Sequence, residues 1–295
     1  MNIHFIAIGG AAMHNLAIAM HEKGYRVTGS DDEIFEPSKG RLARHGLLPV
    51  EQGWFANKIS TEIEAVILGM HAHADNPELA RARELNLPVY SYPAFLYEQT
   101  KNKQRIIVAG SHGKTTITSM IMHALRQQNV SFDYMVGAQL EGFDTMVRLS
   151  EESKYAVFEG DEYLASALEP VPKFHVYRPN IAVISGIAWD HMNVFKTEGD
   201  YIRQFKIFID TIEPGGKLIY NATDDKILEL VSEKRNDIEY MPYSTPHYVT
   251  TMQGVAIENN ELSVFGRHNV QNLEAACKVC GFMGVERIPF LNAMR

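Results

Sequence analysis

Val108-Ala109-Gly110-Ser111-His112-Gly113-Lys114-Thr115-Thr116 is the stretch on which the reading of this chain turns. Ile106–Ala109, which leads into it, reads as a buried strand, and Lys114 to about Gln128 reads as a helix. Gly110 and Gly113 let backbone N–H groups turn inward around phosphate oxygens, and the first helical turn adds partial positive charge. Lys114 can bridge outer phosphates and the Thr115 hydroxyl can ligate Mg²⁺. The common phosphate-loop signature has a longer spacer than Ser111 and His112 provide here. A glycine turn before an amphipathic helix is the plainer reading. The flanking strand and helix favour a nucleoside triphosphate site.

Working outward, the same grammar occurs at the N-terminus. Ile3–Ile8 is strand-like, Gly9-Gly10 marks a tight turn, Ala11–Lys23 reads as a helix, and Gly24 closes it. Further strands are expected at Arg26–Gly29, Ala65–Gly69 and Val89–Ser91, with a helix at Pro77–Glu84 that starts on a proline. A charged loop-like stretch, Gln99–Arg105, separates this pattern from the one around Gly110. After the phosphate loop come strands at Tyr155–Glu159, Ile181–Ser185 and Lys217–Tyr220, and an amphipathic helix at Tyr201–Ile212. Short β segments fill Ile238–Phe265, with turns at Gly254 and Asn259-Asn260, and Asn269–Gly281 is helix-like. Alternating strands and helices predict an α/β protein with parallel sheets. The expected units are a Rossmann-like domain over 1–102 and a phosphate-loop α/β domain over 103–295.

Composition sets the outer bounds. The chain has 295 residues, 45% of them hydrophobic and 22% charged, and a formal net charge of −8. That balance is ordinary for a globular protein and offers nucleic acid or a membrane surface no broad cationic face. No apolar run is long enough to span a bilayer, and the N-terminus enters a strand with no secretory pattern. Cys277 and Cys280 cannot build a disulfide framework, so a reducing, cytoplasmic (bacterial) setting is expected. Their Cys-x-x-Cys spacing falls in a helix with no second pair, which suggests buried, inert thiols.

The shortened loop, with His112 before Gly113-Lys114-Thr115-Thr116, resembles that of the Mur ligases, ATP-dependent enzymes that join amino acids or peptides to UDP-N-acetylmuramate. Phe158-Glu159-Gly160-Asp161-Glu162-Tyr163 looks like the family's acidic motif, and Trp189-Asp190-His191-Met192 like its Asp-His motif. Phe265-Gly266-Arg267-His268-Asn269-Val270-Gln271-Asn272 resembles its Gly-x-His-Asn-x-x-Asn segment. Ile6 to Met13 resembles the loop that receives the UDP moiety, and Asp75-Asn76-Pro77-Glu78 the helix start beside it. The resemblance implies a catalytic set of Lys114, Glu159 and His191. It implies an ATP site of Gly110, Ser111, His112, Gly113, Lys114, Thr115, Thr116, Asn269 and Asn272, with a first Mg²⁺ on Thr115 and a second on Glu159 and His191. The two asparagines would frame adenine, which suits paired amide donors and acceptors, and Asn269 could also cap its helix. The UDP-sugar set is Gly9, Gly10, Ala11, Ala12, Met13, Asp31 and His71.

Other readings remain at this stage. Ala7, Gly9 and Ala12 occupy the glycine positions of a dinucleotide fingerprint, and Asp31 and Asp32 follow about 20 residues on, as an NAD-dependent dehydrogenase would have them. Only one of the three glycines is present, and a dehydrogenase has no use for a second phosphate loop. Within the resemblance, two branches share this N-terminal type, one adding L-alanine and one adding L-alanyl-γ-D-glutamyl-meso-diaminopimelate. The separation of Glu159 and His191 (191 − 159 = 32), the stretch Lys173-Phe174-His175-Val176-Tyr177-Arg178-Pro179 and Tyr163 after Glu162 resemble the tripeptide branch. Lys206 stands where some members carry a carbamylated lysine, and reads better as an exposed helix residue. The resemblance corresponds to the first two of the family's three domains. These two alone are expected to bind UDP-sugar and ATP without turnover, leaving a UDP-sugar-binding module as a further reading.

Overall fold

The computed structural model describes residues 1–70, 72–166, 169–190 and 194–295. The chain begins β1 (Asn2–Ile6), α1 (Ala11–Glu22), β2 (Arg26–Ser30), α2 (Ser38–Arg44), β3 (Ala65–Leu68), α3 (Pro77–Glu84), β4 (Val89–Ser91) and α4 (Tyr92–Thr100). It continues with β5 (Gln104–Ala109), α5 (Lys114–Gln127), β6 (Phe132–Met135), β7 (Val147–Arg148), β8 (Tyr155–Gly160), α6 (Lys173–Val176), β9 (Ile181–Ile184) and α7 (Glu198–Asp210). Then come β10 (Lys217–Asn221), α8 (Asp225–Leu230), β11 (Glu239–Tyr243), β12 (Val249–Thr250), β13 (Val255–Ile257), β14 (Asn260–Leu262), α9 (Arg267–Phe282) and α10 (Arg287–Ala293).

The strands form two large sheets and a small antiparallel one. The first is parallel, in the order β2-β1-β3-β4. The second runs β11-β10-β9-β5-β8-β6-β7, parallel except for the β6/β7 pair. In each sheet the chain reverses its winding direction at one strand, β1 in the first and β5 in the second. A crevice opens beyond the carboxyl end of such a strand, where α/β proteins bind ligands. Both glycine loops lie there. Period-2 alternation places the core on both faces of β5: Ile106 and Val108 pack with Ile117, Ile121 and Leu273, while Ile107 packs with Phe158, Phe174 and Phe205.

Local signals set many boundaries. Asn76 caps α3 by accepting from the N–H groups of Glu78 and Leu79, and Pro77 fills the first helical position. Gly24 takes φ +90 after α1. Three expectations need correction. The loop expected at Gln99–Arg105 shrinks to 101–103, because α4 extends to Thr100 and β5 begins at Gln104. Arg105 is 3% exposed and acts as a hub: Nη1 donates to the carbonyls of Thr100, Lys101 and Lys103 at 2.9–3.2 Å, and Nε to Tyr177 and Arg178 at 2.9 and 3.0 Å. The last hairpin turns at Glu258-Asn259, both with positive φ, one residue earlier than expected. Gly266, not Asn269, is the N-cap of α9, which starts at Arg267.

Two outcomes follow from this packing. Arg105→Ala strips a donor from two buried and three part-buried carbonyls and should destabilise the chain by about 3 kcal/mol or more in urea unfolding. The second concerns Asp31, whose carboxylate accepts from Gly9 N at 2.7 Å and Asp32 N at 3.0 Å. Burial, reinforced by Asp32, raises its pKa to about 6 against the pull of the Gly9 N–H. A carboxyl raised in the fold stabilises it below its unfolded pKa near 3.8 and loses that contribution as pH rises through about 6. Asp31→Asn should therefore gain stability relative to the parent chain between pH 4 and pH 7, measured by unfolding at both.

Candidate active site

The turn from β5 into α5 is cramped, and glycine is the residue that fits it. Gly110 takes φ +134, and a Cβ there would lie 2.1 Å from Ser185 Oγ. Gly113 takes φ +79, and a Cβ there would lie 2.6 Å from Asn272 Oδ1. Ser111 braces the turn: its N–H donates to Gly186 O at 2.9 Å, its hydroxyl donates to the same oxygen at 3.2 Å, and that hydroxyl accepts from Ala188 N at 2.8 Å. Ser111 is thus a loop anchor with its polar groups already engaged. His112 is exposed at the crown, and its carbonyl accepts the Ser185 hydroxyl. Asn221 donates to Ser185 O at 3.0 Å and accepts from Gln271 Nε2 at 3.0 Å, which ties β9, β10 and α9 together behind the loop.

The end of β8 aims three carboxylates in three directions. Glu159 is nearly buried. It accepts the Thr115 hydroxyl on one oxygen and Gly137 N on the other, each at 2.9 Å. Glu162 is buried and receives Lys114 Nζ at 2.8 Å on one oxygen and the Tyr201 hydroxyl at 3.1 Å on the other. Lys114 Nζ also donates to Gly110 O at 2.7 Å. Asp161 receives Lys173 Nζ at 2.6 Å. Burial works to raise the Asp161 carboxyl, but the Lys173 ammonium outweighs it and holds the group below its ordinary value. Burial and the neighbouring Glu162 push the Tyr201 phenol well up, so it stays a neutral donor. Thr115 and Glu159 offer adjacent hard oxygens, which suits Mg²⁺, an ion that takes few protein ligands and fills its shell with phosphate and water. Among the described residues no cluster of three or more His, Cys, Asp or Glu builds a complete cage.

A cleft of about 340 Å³ joins this site to the first sheet, with Ala11, Ala12 and Asn15 of α1 on one side and Lys114, Glu159 and Lys173 on the other. The two sides are pinned by Asn15, which accepts from Met146 N at 3.1 Å, and by the Ser91 hydroxyl, which donates to Glu169 at 2.6 Å. Ala11 and Ala12, on the first turn of α1, line the cleft and are exposed. Met13 is 4% exposed in the core, so it offers a ligand only backbone. The Asp31 carboxylate is spent on Gly9 and Asp32 of its own loop. Gly9 is required there, because a Cβ would sit 2.9 Å from both Asp31 and Ile34.

The remaining candidates divide. Asn272 lies against the phosphate loop at Gly113, whereas Asn269 is exposed on the first turn of α9 and donates to Phe265 O at 3.0 Å. Thr116 lies on the first turn of α5, where its carbonyl accepts from Ser119 Oγ at 2.9 Å. His71 and His191 lie outside the described residues. Lys206 is 58% exposed and pairs with Glu233 at 3.0 Å, as an exposed helix lysine should. Burial raises both cysteine thiols, Cys277 to about 11 and Cys280 further, which keeps them protonated and inert. Gly137, Asn15 and Tyr201 carry no local sequence signal that points to the site. Gly137 follows a strand with Asp133 in its middle, and Tyr201 reads as one more apolar position of an amphipathic helix.

The fold has counterparts among known proteins. Residues 108–280, more than half of the chain, match the Mur ligase middle domain, and residues 2–104 match the Mur ligase family, catalytic domain. A UDP-N-acetylmuramate–L-alanine ligase from Agathobacter rectalis is 30% identical over 311 aligned residues, covering 100% of this chain and 66% of the relative. The chain thus spans a little under two thirds of that relative's length. Among solved structures, a UDP-N-acetylmuramate:L-alanyl-γ-D-glutamyl-meso-diaminopimelate ligase from Neisseria meningitidis superposes with TM-score 0.85 at 24% identity, covering 99% of this chain and 97% of that one. A UDP-N-acetylmuramate–alanine ligase from Thermotoga maritima gives 0.72 at 23%, covering 100% and 68%. With its two consecutive domain matches and a phosphate loop facing a carboxylate-lined cleft, the chain belongs to the Mur ligase family, ATP-dependent ligases of peptidoglycan synthesis.

Proposed function

We propose that this chain binds UDP-N-acetylmuramate and ATP on opposite sides of the cleft, as part of a ligase that joins L-alanyl-γ-D-glutamyl-meso-diaminopimelate to the lactyl carboxylate. The observation that carries this reading is the shared cleft: the first turn of α1 borders it on one side, and Lys114 and Glu159 on the other. Helix N-termini with glycine loops accept phosphates, so the diphosphate of the sugar nucleotide suits α1 and the triphosphate suits α5. A carboxylate cannot acylate an amine directly, because oxide is too poor a leaving group. Its oxygen attacks the γ-phosphorus and ADP departs; the peptide nitrogen then attacks the acyl carbon, loses a proton, and inorganic phosphate departs with the former carboxylate oxygen.

That sequence brings two anions together, and charge neutralisation is the chief requirement. Gly110 O and Glu162 take two of the three N–H donors of Lys114, so the third is left for a phosphate oxygen. Of the two Mg²⁺ ions that the family resemblance implies, Thr115 would hold the first, and Glu159 and His191 the second. When bound, Mg²⁺ would offset the charge on the phosphates and the incoming carboxylate. Cramped glycines fix the loop in advance, so little reorganisation is needed on binding.

The spacing of Glu159 and His191 and the stretch 173–179 favour the tripeptide as amine. L-Alanine is the second reading, favoured by the name of the relative from Agathobacter rectalis. Phosphate release dependent on UDP-N-acetylmuramate and ATP, measured on the whole ligase with each amine, separates them: the tripeptide should be at least about tenfold better, the ratio that a difference of 1.4 kcal/mol gives. Calorimetric titration should show saturable binding of UDP-N-acetylmuramate and none of NAD; binding of NAD alone would overturn the proposed sugar-nucleotide ligand. In the whole ligase, Lys114→Ala should lower ATP-dependent chemistry by about 10²–10³-fold, the usual cost of one charge-stabilising donor, while sugar-nucleotide affinity stays within a factor of about two.

A further inference from the structure

We infer that Lys173 is a specificity-determining residue that receives the lactyl carboxylate of the sugar nucleotide. This rests on the proposed binding of UDP-N-acetylmuramate in the cleft. The sugar and its acid must cross the space between the first turn of α1 and Lys114, and the cleft lining there holds two cationic side chains, Lys114 and Lys173. Lys114 is committed to its loop carbonyl and Glu162, and stands at the start of α5 where phosphate is expected. The Lys173 ammonium makes one hydrogen bond among the described residues, to Asp161 Oδ2 at 2.6 Å. An ammonium has three donors, so two remain for a ligand.

The lysine is also held in place. Lys173 N donates to Tyr163 O at 2.8 Å and Phe174 N donates to Asp161 O at 3.2 Å, while Tyr163 N closes a turn on Asp161 Oδ1 at 3.0 Å. Phe174, the next residue, is fully buried against Phe205 and Phe208. The backbone of Lys173 is thus locked onto the loop that follows β8, and its side chain is 23% exposed toward the cleft. Asp161 balances the charge and limits where Nζ can go. A positioned cation with spare donors fits a carboxylate, and it gives no advantage to a sugar that lacks one.

The test compares UDP-N-acetylmuramate with UDP-N-acetylglucosamine, which has the same nucleotide and sugar without the lactyl acid, by calorimetry on the full chain. Lys173→Met should weaken the first about ten- to a hundredfold and leave the second unchanged, the loss expected of one charge-assisted hydrogen bond. Lys173→Arg should restore most of the preference. Equal weakening of both ligands would make Lys173 a scaffold residue and overturn the inference, as would unchanged affinity for both. If the parent chain binds neither nucleotide, the failure lies in the proposed function, since the comparison with the variant is never reached.

Discussion

The rest of the site depends on the close approach of the β5–α5 turn to the exit of β9. With φ +134 at Gly110 and Ser185 Oγ where a Cβ would go, the backbone must pass Ser185 at glycine distance. That approach lets Ser111 bond to Gly186 and Ala188, and Ser185 to His112. Asp224, the cap of α8, accepts from Ile187 N at 2.9 Å and holds the far side. The loop is thereby fixed before any ligand arrives, and the first turn of α5 is left facing the cleft.

A second economy lies in the segment after β8. Glu159, Asp161 and Glu162 fall within four consecutive positions and serve Thr115, Lys173 and Lys114 respectively. The chain leaves the sheet at Gly160, so the three side chains need not alternate as they would in a strand. Gly160 itself abuts Ile107 and Val108, where a Cβ would meet Ile107 at 2.9 Å. Buried or half-buried carboxylates beside cations are costly to desolvate, and the cost is met only where each finds a partner. Every one of these three has one.

The fold is legible in the sequence where local chemistry is decisive. Asn76 and Pro77 start α3 at the expected place, and Pro77–Glu84 is the helix observed. It is not legible where tertiary contacts override composition. Lys103 and Arg105 look like a solvated linker, yet Arg105 is buried among carbonyls and Lys103 reaches Asp133 at 2.5 Å. Strand β6 went unread because Asp133 interrupts its apolar run. That aspartate is fully buried, bonded to Ser150 and Lys103. The aromatic helix α4 shows little helical periodicity because it is covered on several sides, with Tyr92, Phe95 and Leu96 all buried.

What the sequence determined by itself is the set of constraints carried by backbone conformation and short-range hydrogen bonding. These include the glycines of two loops, the alternation of strands and helices, and the residue types of the phosphate loop and acidic motif. Such features act over a few residues, so they are written in consecutive letters. Only the tertiary structure decided which carboxylate meets which cation, that Ser111 and Asp31 are spent on their own loops, that Met13 is core, and that α1 faces Lys114 across one cleft. Those outcomes depend on strand order and on the approach of segments from 22 residues apart, as for Gly9 and Asp31, to 131, as for Asn15 and Met146. No local pattern encodes such separations, because the first contact exists only once β1 and β2 have paired and the second only once the two sheets have packed.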